Sequence, residues 1–165
     1  MKTLHPPLYH TLLNTKQLNI FLAGSIEMGN VWDWQQYIVN VVSPMNEVGV
    51  LFNPRRLDFD TSQKQSIDNP YFATQVNWEL DHIELADVIF MYLDPNTKSP
   101  ISLMELGLIL GDPMLRPKLV ICCPDGFWRK GNVDITCARN NVLVFDNLES
   151  ATKALVEVIK DIHST

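Results

Sequence analysis

The stretch "DVIFMYLDPNTKSPISLMELGLILG", residues 87–111, decides the fold. Its first seven residues form a short, mostly apolar run, the pattern of a strand covered on both faces. After the turn, Ser99 and Pro100 mark a helix start: a serine suited to cap free N–H groups, then a proline at the first helical position. The helix that follows is apolar on almost every side, with Ile101, Leu103, Met104, Leu106, Leu108, Ile109 and Leu110. A helix apolar all round is normally buried. Glu105 interrupts it, and burying an ionised carboxylate is costly unless it is paired or hydrogen-bonded. Such a residue calls for a functional explanation.

The same alternation of strand and helix runs outward in both directions. Strands are expected at 18–24 ("LNIFLAG"), 48–54 ("VGVLFNP"), 87–93, 118–124 ("KLVICCP") and 141–146 ("NVLVFD"). Helices are expected over 31–43, where Val31, Trp34, Ile38, Val41 and Val42 fall at helical spacing, and after Asn69 as cap and Pro70. In the second of these, Phe72, Val76, Leu80 and Ile83 make the core stripe, and "NLESATKALVEVIKDIH" closes the chain as an amphipathic helix. This order predicts a doubly wound, flavodoxin- or Rossmann-like α/β fold: a five-stranded parallel sheet with helices on both faces. One domain over 1–165 is expected, with 1–17 as an N-terminal arm. Ligands of such sheets bind beyond the carboxyl ends of the strands, which points to 23–30, 53–66, 94–105 and 124–134.

The net charge of −6 argues against general nucleic-acid binding, which needs a basic face. No apolar run reaches membrane-spanning length, and "MKTLHPPLYHTLLNTKQ" lacks the apolar block of a signal peptide, so no membrane partner and a cytoplasmic location are expected. Cys122, Cys123 and Cys137 make no disulfide framework, and Cys122 and Cys123, in an apolar strand, read as core thiols of a reducing compartment. No His or Cys spacing suggests a metal, and no cofactor is expected.

"AGSIEMG" (23–29) lacks the third glycine of the dinucleotide fingerprint and the Lys-Ser of the P-loop. Its alternatives are a plain strand-to-helix turn or a backbone floor for a ligand's sugar. Glu79 shares a helix face with Gln75 and His82 by spacing, and Asp94 ends the third strand, where it suits a turn cap as well as a catalytic role. His82 reads as structural, and no Ser, Cys or His arrangement suggests a triad. A pair of carboxylates at a strand-end cleft suits chemistry at an anomeric carbon, one as nucleophile and the other handling the leaving group's proton.

"IFLAGSI", "NWELDHIELADVIF" and "SLMELGLILG", in this order over about residues 18–146, resemble the nucleoside 2-deoxyribosyltransferases and their relatives. The resemblance implies transfer of 2-deoxyribose between nucleobases through a covalent ester on a glutamate, matched here by Glu105. The family's acidic residue on the preceding helix matches Glu79. Its leaving-group aspartate six residues before the nucleophile matches Ser99, which leaves Asp94 as the nearest substitute acid. Its orienting tyrosine matches Phe21. Ala23, Gly24, Ser25 and Ser99 would line the substrate pocket with Trp32 or Trp34, although core packing suits Trp34 better. Asn132 matches an asparagine that one subunit lends to its neighbour, so a homo-oligomer of at least two chains is implied. The partners implied are a small nucleoside and a nucleobase. Hydrolysis of deoxynucleosides or their monophosphates is the alternative within the family, and a non-catalytic nucleotide sensor is the alternative outside it. Glu27 after "GSI", where monophosphate-cleaving relatives carry an arginine, favours an unphosphorylated substrate; Arg55 and Arg56 are the features against.

Overall fold

In the computed structural model, residues 1–9, 16–26, 32–56, 58 and 60–163 are described. Six strands, β1 (Lys2–Leu4), β2 (Leu18–Gly24), β3 (Val48–Phe52), β4 (Val88–Tyr92), β5 (Leu119–Cys122) and β6 (Val144–Phe145), form one sheet in the order β1-β3-β2-β4-β5-β6. Every pairing is parallel. The sheet therefore has one strand more than the sequence pattern suggested. The additional strand comes from the expected arm: Lys2–Leu4 pair with Val50–Phe52 at the sheet edge, and Asn53 N–H bonds to the Leu4 carbonyl. Three residues are too few to show a strand periodicity, so this pairing had no local signal.

Helices α1 (Trp34–Val42), α2 (Pro70–Leu85), α3 (Pro100–Gly111), α4 (Lys130–Arg139) and α5 (Leu148–His163) cover both faces. Successive strand residues point to opposite faces. Phe21, Ala23, Ile89 and Met91 meet Trp78 and Ile83 of α2, Leu106 and Ile109 of α3, and Val133 and Cys137 of α4. Ile20, Leu22, Val88 and Phe90 meet Trp34 and Ile38 of α1 and Leu155 and Ile159 of α5. Helix α4 is not expected from the sequence, because its apolar pattern is weak: only Val133 and Cys137, four apart, are buried, while Ile135 is exposed.

Helix starts follow local chemistry, with one exception. Asp33 accepts from Gln36 N–H at 2.9 Å and so begins α1 at Trp34, inside the expected span. Asn69 accepts from Tyr71 N–H at 3.1 Å, with Pro70 next, as expected. Ser99 makes no capping bond; it adopts φ 43°, ψ 54°, and its hydroxyl turns inward instead. Gly24 shows why β2 ends in glycine: at φ +126° a Cβ would lie 2.1 Å from the Tyr92 carbonyl oxygen.

The chain leaves β2 through α1 toward β3, then crosses back through α2 to β4. The direction of winding thus reverses between β2 and β4, and the carboxyl ends of these two strands are where sheets of this kind form their ligand crevice. Ser25, Asp94, Thr97 and Ser99 follow these two strands directly.

Candidate active site

The floor of the cleft is a knot of three buried hydroxyls. Ser25 Oγ lies 2.6 Å from Ser99 Oγ and 2.9 Å from Thr97 Oγ1, and Thr97 Oγ1 lies 2.8 Å from Ser99 Oγ. Ser25 Oγ also accepts from Asp94 N–H at 2.8 Å, and its carbonyl accepts from Trp34 Nε1 at 2.8 Å. This one serine joins the end of β2, the turn after β4, the start of α3 and the first turn of α1. The left-handed backbone of Ser99 lets its hydroxyl reach the knot rather than the helix N–H groups.

Asp94 spends its carboxylate on the turn: Oδ1 accepts from the backbone and side-chain N–H groups of Asn96 at 2.8 and 3.1 Å. Tyr92 O–H approaches Oδ2 at 3.5 Å, and its hydroxyl is pushed up to about 12, chiefly by burial. The turn-capping role is thus the one its contacts express. Trp34 is fully buried against Phe90 and Tyr92, whereas Trp32 is half exposed at the cleft rim with its ring edge on Tyr92. Phe21 is buried and packs on Trp78.

Two carboxyl groups, Glu79 of α2 and Glu105 of α3, lie close enough to interact. Glu105 is 7% exposed, and its acid is raised to about 8, first by burial and then by the charge of Glu79. Glu79 is raised to about 7 by burial, opposed by the bond it accepts from Gln75 Nε2 at 2.6 Å. Two interacting groups release protons as a pair. Both carboxyls therefore hold their protons to higher pH than a free carboxyl does, Glu105 more than Glu79.

His82 lies one turn along α2 from Glu79 but serves the core. Its Nδ1 bonds the Trp78 carbonyl at 2.6 Å, its ring packs on Trp78, Phe52 and Tyr9, and burial lowers its pKa. Asn132 is exposed on α4, one turn before exposed Ile135. Glu27 lies outside the described residues.

Two glutamines belong to this region that the apolar stripes had hidden. Gln75 Nε2 bonds the Pro54 carbonyl at 3.3 Å as well as Glu79, which leaves its Oε1 buried without a partner. Gln35 Oε1 accepts from Arg55 Nη1 at 3.3 Å, which leaves its Nε2 buried without a partner. An unsatisfied buried polar atom costs about 1–3 kcal/mol, so both are groups that a ligand would relieve. The available signal was a glutamine on each helix's inward side, beside Trp34 and Ile38 in one case and Phe72 and Glu79 in the other.

Among the described residues, no group of three or more His, Cys, Asp or Glu side chains is arranged to hold a metal ion, and no helix is long and apolar enough to cross a membrane. The three cysteines are buried and free.

A parallel sheet wound in both directions places the chain among the doubly wound α/β proteins, whose ligands bind beyond the carboxyl ends of the strands. Residues 17–127 match the family described as nucleoside 2-deoxyribosyltransferase like, and the chain belongs to that family. No curated protein sequence matches it. Among solved structures, a conserved protein from Enterococcus faecalis V583 is similar at 12% identity and a TM-score of 0.46, with 90% of this chain and 96% of that one covered.

Proposed function

We propose that the protein transfers 2-deoxyribose between nucleobases by double displacement at Glu105. The observation that carries this reading is Glu105 itself, a carboxyl buried in an otherwise apolar helix and close enough to Glu79 of α2 to feel its charge. In the first step an ionised Glu105 oxygen attacks C1′ and forms an ester bond. The C1′–N bond breaks, and its electron pair leaves with the base. Glu79, in its acid form, supplies the proton that the departing nitrogen takes up. An incoming base then attacks C1′, the ester bond breaks to regenerate the Glu105 carboxylate, and the new base's proton returns to Glu79.

Glu79 suits the acid better than Asp94, whose carboxylate is occupied by the Asn96 turn. Ser99, which stands where the family has an aspartate, supports the floor through Ser25 and supplies no acid. Incubation of the pure protein with a deoxynucleoside and a second free base, followed by chromatography, tests the reaction. The expected product is the exchanged nucleoside. Free base alone would make it a hydrolase, and binding with no turnover would make it a sensor.

The outer face of α3 supports a homo-oligomer. Ile101, Met104 and Leu108 are 56, 54 and 53% exposed, although their spacing of three and four puts them on one stripe. Gly107 and Gly111 leave space beside them. A second copy laid on this stripe and on Ile135 would bring its Asn132 toward the first chain's α3. Light scattering should show at least a dimer, and Met104→Lys with Leu108→Lys should dissociate it and lower activity. A fully active monomer would overturn the assembly.

A further inference from the structure

We propose that Gln75 is a positioning residue for the carboxyl pair. Its carboxamide fixes which oxygen of Glu79 can carry a proton, and it keeps Glu79 ionised while Glu105 holds the proton. The inference rests on the glycosyl-transfer reading only for what the pair does with substrate.

Gln75 and Glu79 lie one turn apart on α2, and Gln75 is buried. Gln75 Nε2 donates to the Pro54 carbonyl at 3.3 Å and to Glu79 Oε1 at 2.6 Å. Pro54 follows β3, so this carboxamide ties the helix to the carboxyl end of that strand. Turning the carboxamide over would set its oxygen against two acceptors, a carbonyl and a carboxylate. It therefore keeps its orientation, although Oε1 is left buried with no donor. What the donor end meets decides how Gln75 sits.

An N–H group only donates, so Glu79 Oε1 must accept. In a carboxylic acid the carbonyl oxygen is the better acceptor, so a proton on Glu79 sits on Oε2. No described residue bonds Oε2, which is the oxygen left for a ligand. A hydrogen bond to an ionised acceptor is stronger than one to a neutral acceptor, so Gln75 favours the carboxylate of Glu79 against its burial. Glu105 accepts no such bond among the described residues, and burial and the Glu79 charge keep its proton on. The titratable groups of the described neighbouring segments are engaged elsewhere. Arg55 reaches the Trp32 carbonyl and Gln35, Arg56 pairs with Asp58, His82 bonds the Trp78 carbonyl, and Tyr9 bonds Asp81.

In the free protein the proton thus sits on the nucleophile. Transfer needs the reverse arrangement, with Glu105 ionised and the proton on Glu79 Oε2. One proton therefore passes from Glu105 to Glu79 when substrate binds, and the pair as a whole neither gains nor loses one. Gln75 keeps the nucleophile in its unreactive, protonated form until the site is filled.

Carbon-13 NMR of the glutamate carboxyls, titrated with pH and assigned with Glu79→Gln and Glu105→Gln, decides it without any substrate. In the wild-type protein Glu79 should ionise before Glu105. Gln75→Leu has nearly the same size and no donor, and should raise the Glu79 midpoint by about one unit, the loss of roughly one hydrogen bond. Gln75→Glu puts a second carboxyl in its place and should raise the midpoint further. A purely structural role gives the opposite sign, because water admitted by looser packing would bring Glu79 down toward its ordinary range. If Gln75→Leu fails to fold, Gln75→Met, unbranched and a good helix former, takes its place. A Glu79 midpoint that falls or stays still in the Leu or Met variant, or a Glu105 that ionises first in the wild type, would overturn the role of Gln75. Base exchange measured on the same proteins separates the two ideas. A raised Glu79 midpoint with no exchange keeps the role of Gln75 and refutes the reaction, whereas exchange with an unmoved Glu79 refutes the role of Gln75 alone.

Discussion

Glu105→Ala is expected to lower kcat/KM at least about a thousandfold while leaving the fold intact, because a covalent nucleophile has no ready substitute. The substitution deletes only the carboxylate, and alanine suits the middle of a helix. The apolar neighbours Leu106, Ile109 and Leu110 that anchor α3 to the sheet are untouched. Glu79 is close enough to interact with Glu105, but it lies on another helix and its Oε1 is held by Gln75 at 2.6 Å. It is therefore a poor replacement nucleophile. A 2-fluoro-2-deoxyarabinosyl nucleoside should leave a sugar adduct on the peptide containing Glu105 in the wild-type protein and none in the variant. Activity retained within tenfold, or an adduct on another residue, would move the nucleophile elsewhere.

Much of this architecture was legible because the strands are buried on both faces and read as continuous apolar runs. "LNIFLAG" and "DVIFMYL" located β2 and β4, and with them the loops that carry Ser25, Asp94 and Ser99, whereas the strand order that makes this junction the switch point came from the structure. Glu105 was legible for the opposite reason, as a charge in a helix with no polar side. What escaped was whatever depends on contacts distant in sequence. β1 pairs with residues nearly fifty positions away, and the Ser25–Thr97–Ser99 knot joins two loops seventy residues apart. Ser99 looked like a helix cap because its position before Pro100 fits one, yet the hydroxyls of Ser25 and Thr97 compete for it and win. Gln35 and Gln75 were hidden among helical polar residues, since spacing alone does not reveal which polar atom goes unsatisfied. The exposed stripe of Ile101, Met104 and Leu108 follows the same logic: an all-apolar helix predicts burial, and the single chain covers only part of it.

Activity and stability should depend on pH in opposite senses between about pH 5 and 7.5. The productive form carries one proton, with Glu105 ionised and Glu79 as acid; it is the minor of the two one-proton forms, since Glu79, bonded by Gln75, is the more readily ionised of the two. Glu79 and Glu105 are raised from 4.5 to about 7 and about 8. The pair is fully protonated at lower pH and fully ionised at higher pH, so kcat/KM should trace a bell with its maximum between pH 7 and 8. Glu79→Gln removes the charge that helps raise Glu105, so the acidic limb should move down in pH and the alkaline limb should disappear as the maximum falls. Stability follows from the same raised values. Below about pH 4.5 both states of the chain hold these protons. Above it the unfolded chain releases them while the native state retains them, so the native state binds more protons and stability falls until the pH has passed through 7 and 8. Glu105→Gln keeps the shape and removes one of the two charges. At pH 9 it should melt about 5–15 °C above the wild-type protein, the size expected for relieving a few kcal/mol in a domain of this length. At pH 5 the two should melt within about 3 °C of each other, since Glu105 is then neutral in both. A variant no more stable than wild type at pH 9 would show that Glu105 sits in a place that tolerates its charge, and the acid–base assignment of the pair would have to be redrawn.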